Sequence, residues 1–328
     1  MSLPILQSGQ FSPGSNTPSG TQFQYPVDAQ YISKASYILT PQAKGLGITA
    51  ASADGLYLSG ELNNILLRAS SQVNRICGRY FNVQSVDEQG FRFTVRPYNP
   101  ELVHVNLLNM PYWHVNSIWI QVLKWFIPID ISSTGYVIDA YGYGFVKIVP
   151  LLSNAGAGTG SPIPAEIIDR APLGVLWINY TFGYGAPLTA IPLTEVTSGL
   201  VYQAPTGYQL WAPPQTNYSQ VTNVYVNAVL QTPATYTVSY PDGLITFTTT
   251  IGAGKTVTAD FTTCETIPQD IRQAVILLAS DMISQGLQNP LFANDLSMVS
   301  YSVSFSDKAL ESATKLLKPY VKNNFKII

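Results

Sequence analysis

The chain has 328 residues, of which 46% are hydrophobic and only 11% are charged. Its formal net charge of −2 provides no basic field for phosphates, which argues against a protein that reads DNA or RNA specifically. The length predicts two domains. Average soluble domains carry roughly 25% charged residues. A surface this poor in charge is typical either of a protein whose faces are covered by neighbours or of a secreted β-rich protein.

The sequence shows no targeting or cysteine motif. The first residues, MSLPILQSGQFSPGS, contain neither a basic stretch nor an apolar run of signal-peptide length, so we expect a soluble protein made in the cytoplasm. The longest apolar stretch, from Ile118 to Ile129, is interrupted by polar residues and a proline and is too short to span a membrane. Cys77 and Cys264 lack metal-ligand spacing, and we expect both to be buried.

Residues 1–36 come first and are rich in Ser, Gly, Gln and Pro, which predicts an extended arm that is disordered or ordered by a partner. Thr40 and Pro41 then predict the start of a short helix that ends near Gly45. A long helix is predicted from Ser59 to Phe81. Its apolar residues recur at helical spacing, namely Leu62, Ile65, Leu66, Ala69, Val73, Ile76, Cys77 and Tyr80.

Between residues 82 and 187 the apolar period changes to two, which predicts strands. The predicted strands are Phe91–Val95, Val103–Leu107, Ser117–Val122, Gly144–Val149 and Val175–Thr181, with a loop at Ser153–Pro164. Residues 188–264 form a second β segment, for which we expect a small antiparallel sandwich or half-barrel. Within it, Pro241-Asp242-Gly243 predicts a hairpin turn, because proline fixes φ and glycine tolerates a positive φ.

The last part returns to helical periodicity. Pro268 opens a helix predicted from Thr266 to Gln285, with Asp270 placed favourably in its first turn. Residues 299–305 alternate strictly between apolar and polar, which predicts a strand. Ser306 then caps a final helix. Its apolar stripe consists of Ala309, Leu310, Ala313, Leu316, Leu317 and Tyr320.

The sequence contains only weak signals for catalytic or metal-binding groups. The segment Gly252–Thr256 matches the end of a phosphate-binding loop, but it is predicted to lead into a strand instead of a helix. His104 and His114 lie in predicted strands with no Glu or Cys at ligand spacing. The pair Asp87-Glu88 is predicted at a turn, as solvated carboxylates. We therefore expect no catalytic, cofactor-binding or metal-binding residues, and no enzyme activity.

Taken together, several motifs resemble the head-tail connector, or adaptor, family of tailed bacteriophages. None is specific alone, and the resemblance depends on their order over residues 37–187 and 265–328. The motifs are Leu62–Ser70, Gly78–Phe81, Met110–Ile118, Val175–Tyr184, Ile267–Ala274 and Leu316–Tyr320. The chain departs from that family in its N-terminal arm and in residues 188–264, which resemble small β domains of phage tail and fibre proteins.

The resemblance implies an α+β fold. Residues 37–187 and 265–328 would form a helical-bundle connector core with a β-sheet and hairpin region, and residues 188–264 an inserted antiparallel β-sandwich-like domain. It also implies a structural protein at the head-tail junction of the virion. A ring of usually twelve copies would join the portal to the stopper or tail proteins, and DNA would pass nonspecifically through its lumen. An insertion predicts that Tyr184 and Ile267 lie close together and that the two long helices share one core.

The last 22 residues carry five lysines and two carboxylates, a balance of +3 in a chain of net charge −2. One interpretation is a set of cations near a helix C-terminus, followed by a solvated tail. The other is a docking site for the portal, with lysines facing an acidic rim and aromatic side chains as anchors. The candidate residues for that interface are Lys315, Lys318, Tyr320, Lys322 and Phe325.

Two rival functions remain open. A tail-fibre or baseplate binding module would explain the β segment at residues 188–264 but not the helices. A secreted carbohydrate-binding enzyme would explain the 20 tyrosines and 5 tryptophans, but it requires a signal peptide and paired carboxylates.

Overall fold

The structure is a computed structural model. It describes residues 26–49, 59–91, 94–96, 99–106, 109, 111–122, 125–129, 136–141, 145–150, 175–212, 222–252, 254–288 and 306–321. The predicted loop at Ser153–Pro164 and the predicted strand at residues 299–305 lie outside these residues. Two compact units divide the chain: residues 84–183 with 1–26, and residues 27–83 with 184–328. The three-part division based on an insertion stays a prediction.

The first unit contains two four-stranded antiparallel sheets. Its strands are β1 (Gln84–Phe91), β2 (Thr94–Arg96), β3 (Asn99–Asn106), β4 (Tyr112–Val122), β5 (Trp125–Ile129), β6 (Tyr136–Tyr141), β7 (Phe145–Pro150) and β8 (Val175–Phe182). The strand orders are β1-β8-β4-β5 and β2-β3-β7-β6. The strands predicted from Val103, Ser117, Gly144 and Val175 are therefore confirmed. Pro128 lies in β5, an edge strand of its sheet, which is the place where sheets tolerate proline.

The second unit contains the helices. They are α1 (Lys34–Ile38), α2 (Pro41–Gly45), α3 (Ser59–Cys77), α4 (Gln269–Gln288) and α5 (Asp307–Leu317), together with short 3₁₀ helices at Pro233–Thr235 and Lys318–Tyr320. Thr40 caps α2 by accepting a hydrogen bond from the N–H of Ala43, and Ser306 caps α5 in the same way through Ala309. Both caps were predicted from the sequence.

Helices α3 and α4 pack against each other although the whole β-rich part of the chain separates them. The buried side of α3 repeats every three or four residues and consists of Leu62, Leu66, Ala69, Val73 and Cys77. The facing helix contributes Ile271, Ala274, Val275, Leu278, Ala279, Met282 and Ile283. The prediction that these two helices share one core is confirmed. Alanines at the seam allow the two backbones to approach closely.

The end of the N-terminal arm lies on α3. Tyr31 is fully buried, its hydroxyl donates to Asn74 Oδ1, and the N–H of Phe81 donates to Tyr31 Oη at 3.0 Å. Gln30 Nε2 donates to the carbonyl of Asn63 at 2.7 Å. This part of the arm is therefore ordered by its own chain, an outcome that its Ser, Gly and Gln content did not indicate. Residues 1–25 lie outside the described residues.

Strands β9 to β16 follow the first unit in sequence and belong to the second. They are β9 (Ala186–Pro192), β10 (Thr194–Thr197), β11 (Val201–Gln203), β12 (Asn223–Val226), β13 (Val229–Leu230), β14 (Tyr236–Ser239), β15 (Leu244–Phe247) and β16 (Val257–Thr263). They form two four-stranded sheets, β10-β11-β15-β14 and β13-β12-β16-β9. One hydrophobic cluster joins both sheets, with Trp211 stacked on Phe261 at 4.2 Å between ring centroids.

The two ends of this β segment are adjacent. Ala186, the first residue of β9, pairs with Thr263, the last residue of β16. Gly185 has no room for a side chain, since a Cβ atom there would lie 2.2 Å from a methyl group of Val83. The two ends of a segment inserted into a folded domain have to lie close together, and the pairing of Ala186 with Thr263 meets that requirement.

We predict that Leu66→Ala lowers the free energy of unfolding by about 2–5 kcal/mol, because Leu66 is fully buried and its loss leaves a cavity at the α3 seam. The exposed Asn64 lies half a turn away on the same helix. Asn64→Ala is the matched control and should change the free energy by less than about 0.5 kcal/mol. Urea denaturation followed by tryptophan fluorescence measures both. Similar losses for the two variants would contradict the packing described above.

Candidate interaction site at the C-terminal helix

The N-terminus of α5 is fixed to α4 through one carboxylate. Asp281 accepts hydrogen bonds from the N–H of Ser306 at 2.8 Å and from its hydroxyl at 2.7 Å. Gln285 Nε2 donates to the same carboxylate at 2.9 Å. A negative charge at a helix N-terminus also interacts favourably with the helix dipole. Sequence reasoning did not find Asp281, because 24 residues separate it from Ser306 and neither position has a distinctive spacing.

The inner face of α5 is buried against other helices of the second unit. Ala313 and Leu317 are fully buried, and the helix contacts both α3 and α4. The helix has only 11 residues, and isolated helices shorter than about 12–15 residues are marginal in water. Docking therefore stabilises the helix itself as well as its position.

Tyr320 lies just beyond α5 and packs inside its own chain. Its ring meets Phe81 edge to face, with 6.1 Å between centroids, and its hydroxyl lies near the carboxylate of Asp270. Burial, followed by the nearby charge of Asp270, raises the pKa of Tyr320. This predicted portal anchor therefore already has a partner inside its own chain.

The predicted lysines occupy different environments. Lys315 pairs with Glu311 at 2.7 Å, and both side chains are largely exposed, so the pair contributes at most about 0.5 kcal/mol. Lys318 is exposed at the end of α5. Lys322 and Phe325 lie outside the described residues. The structure brings Lys315, Lys318 and Tyr320 together within the last turns of the chain that it describes, and the assignment of an interface there stays a prediction.

An open groove of about 480 Å³ lies between α2, α4 and α5. Its lining includes Leu46 just after α2, Leu277 in α4 and Ala309 in α5 as apolar residues. Asp281 and Lys308 are its charged residues, and the remaining lining residues are uncharged. These residues make the groove a mainly uncharged surface between three helices.

The prediction of solvated carboxylates at Asp87 and Glu88 is wrong. Both residues lie in β1, and each is only 7% exposed. Asp87 accepts a hydrogen bond from Asn179 Nδ2 at 2.8 Å, while Glu88 accepts from Asn109 Nδ2 at 3.0 Å and from the hydroxyl of Tyr180. The hydrogen bonds from these donors offset the free-energy cost of burying two carboxyl groups. Two of them lie 92 residues away in sequence, which hides them from local pattern reasoning.

The remaining chemical candidates lie in strands or lead into one. Gly252–Thr256 leads into β16, as predicted, and not into a helix. His104 and His114 lie in β3 and β4, and their side chains are outside the described residues. Within the described ranges, no three His, Cys, Asp or Glu residues come close enough to hold a metal ion. No helix in the described part of the chain is both long and apolar enough to cross a membrane.

Both cysteines are buried, as predicted. Burial raises the pKa of each thiol from 9.0 to about 12, partly opposed at Cys77 by the charge of Arg79 and at Cys264 by a hydrogen bond with the backbone of Val83. At pH 8 a thiol of this pKa is about one ten-thousandth ionised. The thiolate is the reactive form, so the folded chain keeps both sulfurs inert.

We predict that Ellman's reagent at pH 8 labels neither thiol in the native protein and both in guanidinium chloride. The unfolded thiols ionise near 9.0 and the folded ones near 12. The unfolded chain therefore loses protons first, and the stability of the fold should fall as the pH rises from about 9 to 12. Rapid labelling of native protein, or stability that rises across this range, would contradict the burial of these groups.

Comparison with known proteins adds little to this geometry. No family model matches the chain, and no curated protein matches it. Among solved structures, the chain is similar to a chain of the neck of an empty GTA particle computed with C6 symmetry. The identity is 11% and the TM-score 0.32, over 89% of this chain and 94% of that chain. A TM-score this far below 0.5 carries no argument about fold or function.

Proposed function

We propose that this chain is a structural virion protein that forms the adaptor ring between the portal at the capsid vertex and the stopper or tail. The observation that carries the proposal is the seam between α3 and α4. These helices contain two of the sequence motifs that resemble the adaptor family, and they pack together although the intervening chain is long. The paired ends of the β segment, Ala186 and Thr263, support an insertion into such a frame.

The proposed architecture is α+β, with a helical connector core, a β region and an inserted β-sandwich-like domain. About twelve copies would close the ring, and packaged DNA would pass through its lumen. A lumen that lets DNA slide has to avoid strong contacts with phosphates, and the charge of −2 is compatible with that. A closed ring also buries two different faces of each subunit, which fits a chain with only 11% charged residues. The proposal includes no catalysis and no cofactor.

A specific observation also favours the alternative of a tail-fibre or baseplate binding module. The hairpin of β12 and β13 turns at Asn227 and Ala228, both with positive φ, and exposes 64% of Val229 and 58% of Leu230. Neighbouring residues of a strand point to opposite faces, so this hairpin presents apolar side chains on both sides. Such a tip is suited to insertion into a partner protein.

Electron microscopy of the purified protein and of native particles distinguishes these functions. The adaptor proposal predicts closed rings in vitro and, in particles, antibody labelling at the junction of head and tail. Labelling of a fibre or baseplate, without rings, would overturn the adaptor proposal and support the alternative.

For the portal contact, we predict that deleting residues 322–328 weakens binding of the assembled ring to purified portal protein. This deletion keeps Tyr320 and its contact with Phe81, so the fold of the second unit should be preserved. Lys318→Gln should slow association with the portal and make it less dependent on salt, because charges at an interface rim act mainly on the encounter rate.

Lys255→Gln is the matched control for Lys318→Gln. Both lysines are exposed, and Lys255 precedes β16 in the β segment. Surface plasmon resonance at several salt concentrations measures the rates. Equal effects of the two substitutions, or a tail deletion without effect, would remove the C-terminal residues from the portal interface.

A further inference from the structure

Residues 196–254 form a long stretch of sequence that is almost without charge. Asp242 is the only charged residue among these 59, although 11% of the whole chain is charged. Its carboxylate is bound inside its own chain, because it accepts hydrogen bonds from the hydroxyl of Ser239 at 3.0 Å and from Asn63 Nδ2 at 3.3 Å. The β segment therefore presents a surface that is essentially uncharged.

The same stretch carries most of the exposed apolar side chains. Six large hydrophobic residues are exposed in the described ranges, and four of them lie here, namely Val196, Tyr208, Val229 and Leu230. Val229 and Leu230 form β13, at the tip of the hairpin with β12. The core of a protein interface is depleted in charged residues. An uncharged surface with exposed aliphatic side chains is therefore suited to burial against another protein.

The aromatic rings of this stretch lie mostly in the core of the β segment. Tyr202, Trp211 and Phe247 are at most 2% exposed, whereas Tyr208 is 42% exposed. A carbohydrate stacks its sugar rings on exposed aromatic faces. Exposed aliphatic side chains, in contrast, leave water most favourably by packing on other apolar surface. The arrangement favours a protein partner over a carbohydrate.

The outer face of the sheet β10-β11-β15-β14 is a second uncharged surface. Tyr202 of β11 pairs with Ile245 of β15, and both belong to the hydrophobic cluster inside the β segment. Neighbouring residues of a strand point to opposite faces, so the adjacent pair Val201 and Thr246 faces outward. Thr237 of β14 pairs with Thr246 on its other side, and both threonines are exposed. Strands β11, β14 and β15 contain no charged residue.

We propose that the β12–β13 tip of one copy packs on this outer face of the next copy. The inference rests on the proposed ring and names a contact that closes it. An aliphatic tip requires an uncharged partner surface, because a charged group buried against it would lose its hydration and gain no opposite charge. The outer face of the sheet meets this requirement. A contact between two different surfaces of the same chain is also the kind that closes a ring.

Leu230→Asp tests the tip, because it would bury a carboxylate against an uncharged surface. We expect its rings to dissociate at protein concentrations at least about tenfold higher than rings of the native protein. Leu39→Asp is the matched control, since Leu39 lies outside the uncharged stretch and both leucines are 58% exposed. Sedimentation velocity over a range of concentrations measures assembly, and circular dichroism checks that both variants fold. Equally stable rings of the folded Leu230→Asp variant would overturn the proposal.

A charge pair tests whether the tip meets the outer face. Thr246→Lys alone should weaken the rings as Leu230→Asp does. Both substitutions in one chain place opposite charges on the two sides of each contact and should restore assembly. The restored rings should be sensitive to salt, whereas native rings should not, because salt screens interactions between charges. A folded double variant that fails to assemble, or native rings that dissociate in salt, would overturn the proposal.

These results separate the contact from the proposed function. Leu230→Asp rings that form normally and are found at the head-tail junction would preserve the adaptor function and remove the contact. Normal rings that no longer bind a tail protein would assign the tip to that protein and also remove the contact. Self-association through the tip in a protein located elsewhere in the particle would preserve the contact and remove the adaptor function.

Discussion

The second unit depends on the apolar seam between α3 and α4. The end of the N-terminal arm packs on α3 through Tyr31, and α5 contacts both helices. Tyr320 adds to the same assembly, because its ring packs on Phe81 just beyond the end of α3 and its hydroxyl lies near the charge of Asp270 in the first turn of α4. Buried aliphatic side chains provide the driving force, at about 25 cal/mol per Å² of apolar surface. Polar contacts such as Asp281 with Ser306 then decide where each added element sits.

The apolar periodicity and the turn and cap residues predicted two kinds of element. One kind is stabilised by contacts within a few residues, and the other buries one continuous apolar face. Helix α3 ends at Cys77 instead of the predicted Phe81, and Gly78 follows it with a φ of 66°. The stripe on α3 as far as Cys77, the serine cap of α5 and the Pro241-Asp242-Gly243 turn, where Gly243 has a φ of 59°, formed as the sequence indicated. Each signal lies within a few residues of the structure that it specifies. Local signals also located most strands, since alternation reports a half-buried sheet independently of which strands pair.

Predictions failed where distant residues determine the environment. Asp87 and Glu88 look like surface carboxylates in the sequence, but strand pairing places Asn179 and Tyr180 beside them. Tyr31 lies in a polar arm, and only the folded α3 reveals why it is buried. At the candidate site, the sequence identified Tyr320 and the lysines as notable, but it could not show that Tyr320 binds Phe81 of its own chain.

The pairing of Ala186 with Thr263 has a kinetic consequence. Paired Cα atoms in an antiparallel ladder lie about 5 Å apart. Once β9 to β16 have folded around their own core, residues 186–263 act like a short loop in the chain that connects α3 to α4. The entropy of closing α3 onto α4 then no longer grows with the length of that segment. Early folding of these two sheets would lower the effective contact order of the contact between α3 and α4 and hasten its formation.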